Sequence, residues 1–312
     1  MITFDRVSKR FGEVVAVRDL SLEIASGEIV VLLGPSGCGK TTTLRMVNRL
    51  VEPSSGTIRI DGRDTREMDV NLLRRSIGYV IQQVGLFPHR TVAENVATVP
   101  RLLGWDRART HRRVEGLLDL VGLPPGQYAH RLPSELSGGE GQRVGVARAL
   151  GADPDILLMD EPFGAIDPVV RGRLQDELLR LQQVLHKTIV FVTHDIDEAV
   201  RLGDRIALFS AGGALEQYAA PDLLLGAPAS AFVDEFLGDG RMVRRLGLRR
   251  VRSARLRDAD GQGVPATAID ADATLREALD AVLGTGDGRV AVRESGRILG
   301  IIDSESIREA VR

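Results

Sequence analysis

The chain has 312 residues, of which 43% are hydrophobic and 27% charged, with a formal net charge of −2. That balance fits a globular protein of one large or two modest domains and gives no global attraction to nucleic acid, so no nucleic-acid partner is expected. A single cysteine, Cys38, excludes an internal disulfide, and no charged-then-apolar leader opens the chain. The longest apolar runs, such as Ile29–Leu33, are too short to cross a bilayer, so a membrane role is expected only through a partner or at the surface.

In chain order, Ile2, Phe4 and Val7, then Leu20, Leu22 and Ile24, alternate with polar residues and predict half-buried antiparallel strands. Ile29–Leu33 is continuously apolar, the pattern of a strand covered on both faces. A glycine-rich loop follows, then a helix expected over 40–50 with Leu44, Val47 and Val51 on one face. Strands are expected at 57–60 and 77–81. Helical patterning covers about 92–150, with Leu117, Leu118 and Val121 in one stretch. Two more apolar runs, 156–159 and 188–193, flank a helix near 169–185, and 204–209 with 214–218 predict a late hairpin across Gly212-Gly213. Strands alternating with helices predict an α/β parallel sheet core, with an antiparallel β subdomain ahead of it and the 92–150 stretch as a helical insertion. After Gly238 the character changes. Eight arginines crowd 241–257, and a small α+β unit is expected from helices at 273–283 and 304–311 and strands at 290–293 and 298–302.

Gly34-Pro35-Ser36-Gly37-Cys38-Gly39-Lys40-Thr41 matches the phosphate-binding loop pattern G-x-x-x-x-G-K-[ST] without deviation, between a strand and a helix. Inward-facing amides can wrap a polyphosphate, Gly34, Gly37 and Gly39 permit the backbone angles, and the following helix aims its positive end at the same anion. Only three of the 41 cationic side chains are lysines: Lys9, Lys40 and Lys187. The survival of Lys at position 40 in an arginine-rich chain fits a cradle that admits a compact ammonium but not a guanidinium fork. Thr41 can offer its hydroxyl to Mg²⁺.

Ile156–Met159 runs into Asp160-Glu161, placing two carboxylates at the carboxyl end of a buried strand, the edge where α/β sheets bind ligands. Asp160 can hold Mg²⁺, and Glu161 can reach a water behind a γ-phosphate. His194 ends the 188–193 run at the same edge. Ser137 reads as the cap of a helix whose first residues, Gly138 and Gly139, leave its amides uncovered.

Together these motifs resemble the ATPase domains of ABC transporters over roughly residues 1–237, a P-loop NTPase fold. The resemblance implies that Gly34–Thr41, with Thr42, is the Walker A loop, and that Phe11 stacks on adenine. It makes Gln82 in Gly78-Tyr-Val-Ile-Gln82 the Q-loop glutamine and a Mg²⁺ contact beside Thr41 and Asp160. Leu136–Glu140 becomes the signature, Ile156–Asp160 Walker B, Glu161 the catalytic glutamate, Asp167 in Gly164-Ala-Ile-Asp167 the D-loop, and His194 the switch histidine. ATP and Mg²⁺ are then the cofactors. Ser137, Gly138, Gly139 and Asp167 are expected to serve the site of a second copy, so the chain is expected to be a homodimer. Glu140 stands where the family carries Gln, and is expected to point away from the γ-phosphate and to weaken closure modestly. Ile166 replaces the usual Leu, and Cys38 is expected to be inert filler.

Gly78-Tyr-Val-Ile-Gln-Gln-Val-Gly-Leu-Phe-Pro-His89, Glu161–Pro168 and Thr193–Ala199 are similar to the subfamily importing glycine betaine, choline, carnitine or proline. Transmembrane permease subunits, an extracytoplasmic substrate-binding protein and a place at the cytoplasmic face of the inner membrane are implied. Residues 273–279 and 296–303 resemble one CBS module, which gives 266–312 as a single small CBS-like domain after an Arg-rich linker at 238–265. That linker is expected to be solvated, with attraction to anionic lipid as its alternative. Three rival readings are an importer for another solute such as an amino acid, a non-transport ABC ATPase, and a CBS-type nucleotide sensor.

Overall fold

The computed structural model describes residues 2–82, 85–164, 166–258 and 263–311. Gln83, Val84 and Ala165, which belong to motifs quoted above, lie outside the described residues. The chain divides into two units, Met1–Tyr218 and Ala219–Arg312.

In the first unit β1 (Ile2–Phe11) and β2 (Val14–Ile24) pair antiparallel, with Ile2 opposite Ile24 and Phe11 opposite Val14. β3 (Ile29–Leu33) is buried at every residue. β4 (Ser55–Ile60) and β5 (Arg63–Asp64) complete a four-stranded sheet of order β2-β1-β4-β5. β6 (Ile77–Val80), β7 (Ile156–Asp160), β8 (Thr188–Val192), β9 (Arg205–Ser210) and β10 (Ala214–Ala219) join β3 in a six-stranded sheet of order β10-β9-β3-β8-β7-β6. The pairs β3–β8, β3–β9, β7–β8 and β6–β7 are parallel. Their continuous apolar sequences follow from this, because a parallel sheet is covered on both faces. Ile2, Phe4, Leu20 and Leu22 share one core with Val30, Leu32, Leu44, Val190 and Phe209, so the antiparallel subdomain and the parallel sheet are packed together.

The helix after β3 covers Lys40–Val47 and buries Leu44 and Val47. It stops short of residue 50 because Arg49 takes a left-handed φ of 54° and turns its guanidinium onto the carbonyls of Thr65 and Met68. The insertion is helical as expected, through Val92–Val96, Thr98–Leu102, Arg107–Leu120, Pro125–Tyr128 and Gly138–Leu150. Among the described residues no helix is long and apolar enough to cross a membrane.

The second unit carries helices Pro221–Gly226, Ala231–Leu237 and Arg241–Leu248. A three-stranded sheet of β11 (Ala268–Asp270), β12 (Arg289–Glu294) and β13 (Arg297–Asp303) follows, with helices Leu275–Gly284 and Ser304–Ala310. β11 runs parallel to β12, and β12 antiparallel to β13. The structure corrects two expectations here. The division falls at 218/219 rather than after 237. The described part of the Arg-rich segment is also folded rather than a solvated linker, since Leu246, Val251 and Ala254 lie in the same core as Leu275, Val290 and Ile302. Most of its arginines are engaged within the unit. Arg241 pairs with Asp234, Arg252 with Asp272 and Glu294, and Arg257 with Asp303 and Glu305.

The tightest of these contacts centres on Asp222. Its Oδ1 accepts from Nε of buried Arg245 at 2.8 Å, and its Oδ2 from Nη2 of Arg249 at 2.8 Å. The same two guanidinium groups donate to backbone carbonyls just after the Ser304–Ala310 helix and at its end, Arg245 to Val311 O at 2.6 Å and Arg249 to Ala310 O. Hydrogen bonds from Arg249 and Arg245 hold the Asp222 carboxyl well below the usual carboxylate range. A depressed carboxylate stabilises fully above its unfolded value near pH 4, and that stabilisation is lost as pH falls toward the folded value. Asp222 keeps 40% of its side chain exposed, so screening discounts the pair. Asp222→Ala is expected to destabilise the second unit by about 1–2 kcal/mol at neutral pH, with the gap from wild type closing on acidification below about pH 4. Calorimetric melting across pH checks this.

Candidate functional site

The loop between β3 and its helix is shaped by glycine. Gly34 has φ 147° and an added Cβ would lie 2.4 Å from Phe209 O, while at Gly39, with φ 93°, it would lie 2.0 Å from Ala16 O. Neither position admits a side chain. Lys40 is 6% exposed, and its Nζ donates to Gly34 O at 2.7 Å and Pro35 O at 2.8 Å. The ammonium therefore sits inside the curve of the loop. Ser36, Gly37, Gly39, Lys40, Thr41, Thr42 and Glu161 border one cavity of about 220 Å³. Cys38 is buried beneath the loop, and burial pushes its thiol up in pKa, which keeps it protonated and unreactive. Phe11 is half exposed, with Lys9 Nζ 4.8 Å from its ring centre.

β3, β7 and β8 end side by side, and the polar residues expected from the sequence emerge there. Thr41 Oγ1 donates to Asp160 Oδ1 at 2.8 Å, so a hydroxyl and a carboxylate, both hard oxygen donors, meet next to the loop. Glu161 has a positive φ of 44°, unusual for a residue with a Cβ, while its N–H still bonds Val192 O at 3.0 Å. The turn aims its carboxylate at two other expected residues. Gln82 Nε2 donates to Glu161 Oε2 at 3.0 Å, and His194 Nδ1 lies 3.3 Å from Glu161 Oε1. Gln82, Glu161 and His194 thus form one polar cluster, although 112 residues separate the first from the last in sequence. Arg45, which the motifs did not single out, lies 3.6 Å from Asp160 Oδ2. Its spacing from Thr41, one helical turn, was the available signal.

Ser137, Gly138, Gly139 and Asp167 lie elsewhere. They border a separate cavity of about 580 Å³ that shares no residue with the first. Ser137 caps the Gly138–Leu150 helix, and Asp167 caps Pro168–Leu185 by accepting from Val169 N at 2.9 Å. Glu140, expected from the sequence to point away from the γ-phosphate, folds back on its own turn. It completes a capping box on Ser137, with Oε2 accepting from Ser137 N at 2.7 Å and from Ser137 Oγ at 2.8 Å. Tyr128, also missed in the sequence, donates to Glu140 Oε1 at 2.7 Å. The Tyr128 bond and then those from Ser137 push the Glu140 carboxyl down to about 2.

Residues 17–164 match the ABC transporter family. The osmoprotectant import ATP-binding protein OsmV of Salmonella typhimurium is 53% identical over 79% of this chain and 65% of its own length. The glycine betaine/carnitine/choline transport ATP-binding protein OpuCA of Bacillus subtilis is 47% identical over 98% of this chain and 79% of its own. The chain belongs to the ATP-binding proteins of ABC transporters. A solved dimeric bacterial ABC transporter cassette superposes with a TM-score of 0.63 at 36% identity, over 70% of this chain and 98% of that one. The parallel core with its antiparallel subdomain is the ABC ATPase fold. The chain spans just under two thirds of the length of the Salmonella relative, and more of the Bacillus one.

In an ABC cassette of this geometry the lysine must be compact, because its Nζ has two loop carbonyls within 2.8 Å. A guanidinium is too broad for that space. Lys40→Arg is therefore expected to weaken ATP binding at least about tenfold and turnover about 10²-fold, despite keeping the charge. Nucleotide titration and a phosphate-release assay measure the two effects.

Proposed function

We propose that the protein is the ATP-hydrolysing subunit of an ABC importer for an osmoprotectant such as glycine betaine, choline, carnitine or proline, working as a homodimer under transmembrane permease subunits. One observation carries the pairing: the nucleotide cradle and the Ser137 turn occupy separate cavities with no residue in common. Each chain then holds half of two sites, and two copies complete both. The dimeric state of the superposable cassette supports this. The solute class rests on the relatives, whose names refer to osmoprotectant, glycine betaine, carnitine and choline transport, and on the Bacillus match running through the second unit as well as the first.

In this reading ATP lies on the Gly34–Thr42 loop, with adenine against Phe11 and its phosphates on the loop amides and Lys40. Thr41 and Asp160 offer the oxygens that fit Mg²⁺, with Gln82 beside them, and the ion when bound would neutralise phosphate charge. Glu161 polarises the attacking water. Gln82 and His194 each hold one oxygen of that carboxylate, which fixes its direction, and His194 is placed to meet the γ-phosphate. Ser137 and Gly139 of the second copy cap the same phosphate, and Asp167 links the two sites. Positioning and electrostatics supply the rate, as phosphoryl transfer requires. Opening and closing at Gln82 and the helical insertion passes to the permeases at the cytoplasmic face of the inner membrane, and an extracytoplasmic binding protein delivers the solute. The sheet and helices of 266–312, whose core also takes in Leu246, Val251 and Ala254, support a single CBS-like module.

Glu161→Gln keeps the cluster's shape but removes the carboxylate that polarises water. It is expected to bind ATP normally, to lower turnover by about 10²-fold or more, and to accumulate as an ATP-bound dimer in gel filtration. A monomer under saturating ATP would refute the role given to Glu161. Proteoliposomes carrying the assembled importer should take up glycine betaine or choline only with ATP inside; uptake of neither would shift the solute class.

A further inference from the structure

The signature turn of this chain carries a carboxylate at position 140, and the structure shows what that carboxylate does. Its three hydrogen bonds all come from donors: Ser137 N, Ser137 Oγ and Tyr128 Oη. An ionised carboxylate can only accept. The Ser137 hydroxyl has one proton and two lone pairs, and its proton is committed to Glu140. Glu140 N, at 3.4 Å, donates to the same oxygen.

We propose that Glu140, steadied by Tyr128, is a self-blocking latch on Ser137: it takes the hydroxyl proton that Ser137 must offer to the partner's ATP, so nucleotide has to release the latch before two copies close. This rests on the reading of Ser137 as a contact to the second copy's phosphate. In the latched state Ser137 keeps one uncommitted lone pair and no proton to offer, with a full negative charge beside it in the same cavity wall. Both repel a phosphate oxygen. Donating outward requires the hydroxyl to rotate away from a charge-assisted bond of 2.8 Å, which is stronger than a neutral one. With its pKa near 2, the carboxyl stays ionised across the physiological range, so protons do not open the latch.

A glutamine at 140 separates the two roles of this side chain. Its carbonyl oxygen still accepts from Ser137 N, which preserves the capping box. That same oxygen also meets Ser137 Oγ, but now without charge, so the hydroxyl proton is held by a weaker neutral bond, while the amide stands in the place of Oε1 and faces Tyr128. Tyr128 belongs to the short Pro125–Tyr128 helix, so the latch also ties the signature helix to its neighbour in the insertion.

The test uses full-length protein in the Glu161→Gln background, with ATP-dependent dimerisation followed by sedimentation velocity. Glu140→Gln is expected to lower the ATP concentration for half-dimerisation about fivefold while the nucleotide-free melting temperature stays unchanged. A threshold that stays put or rises overturns the latch. Ser137→Arg in the same background separates the two levels of inference. If Ser137→Arg abolishes the dimer and Glu140→Gln leaves the threshold unmoved, the latch alone fails. If the Ser137→Arg protein still dimerises with ATP, the role of Ser137 fails and the latch falls with it.

Discussion

Three strands ending flush is the constraint on which the site depends. Leu32 of β3 and Asp160 of β7 both stand in register with Val192 of β8. The next residues along each strand are the phosphate loop, Glu161 and the Thr193-His194 pair. Because these strands are buried on both faces and hydrogen-bonded to one another, their ends cannot drift apart. The parallel sheet thus brings together a lysine, two adjacent carboxylates and a histidine drawn from positions 40 to 194. The strength of the apolar runs is therefore a functional matter: a strand that slipped by one residue would turn Asp160 to the opposite face.

Much of this was legible in the sequence because it is local. Buried strands declare themselves as unbroken apolar runs, the loop declares itself by fixed glycine spacing, and the polar residues directly follow the runs. The insertion declared its helices by periodicity. What was not legible depends on pairs far apart in the chain. Arg45 meets Asp160, and Tyr128 reaches Glu140 from a separate short helix. Arg45 was signalled only by its one-turn spacing from Thr41, and no spacing rule announces the Tyr128 pair. Glu140 itself was visible as a departure from the family pattern, but its capping contacts were not. A capping glutamate at the third helical position has the backbone N–H and the hydroxyl of Ser137 waiting for it, and that local attraction acts whether or not nucleotide is present.

The arginine-rich segment teaches the same lesson with opposite sign. Eight arginines within 241–257 read as solvated charge when their partners are out of view. In the fold, most of them meet carboxylates or carbonyls of their own unit, and Asp222 binds two at once. Arg suits this use because one planar group can serve a carboxylate and a backbone carbonyl together, as Arg245 does with Asp222 and Val311. The near absence of lysine outside the phosphate loop is consistent with this division: forked cations for structure, a compact one where a polyphosphate must fit.

In the proposed pairing the interface is isologous, so every contact occurs twice. Each copy brings one cradle and one Ser137 turn, and both sites form in a single step. A latch at position 140 then weighs on the association constant from both sides, while the intrinsic affinity of a lone cradle for ATP is untouched, because the two cavities share no residue. The chain can thereby hold nucleotide on one copy without committing to closure. The carboxylate at 140 shifts the balance toward the open, loaded subunit, and the energy that closes the pair has to come from the phosphate charge trapped between the two halves.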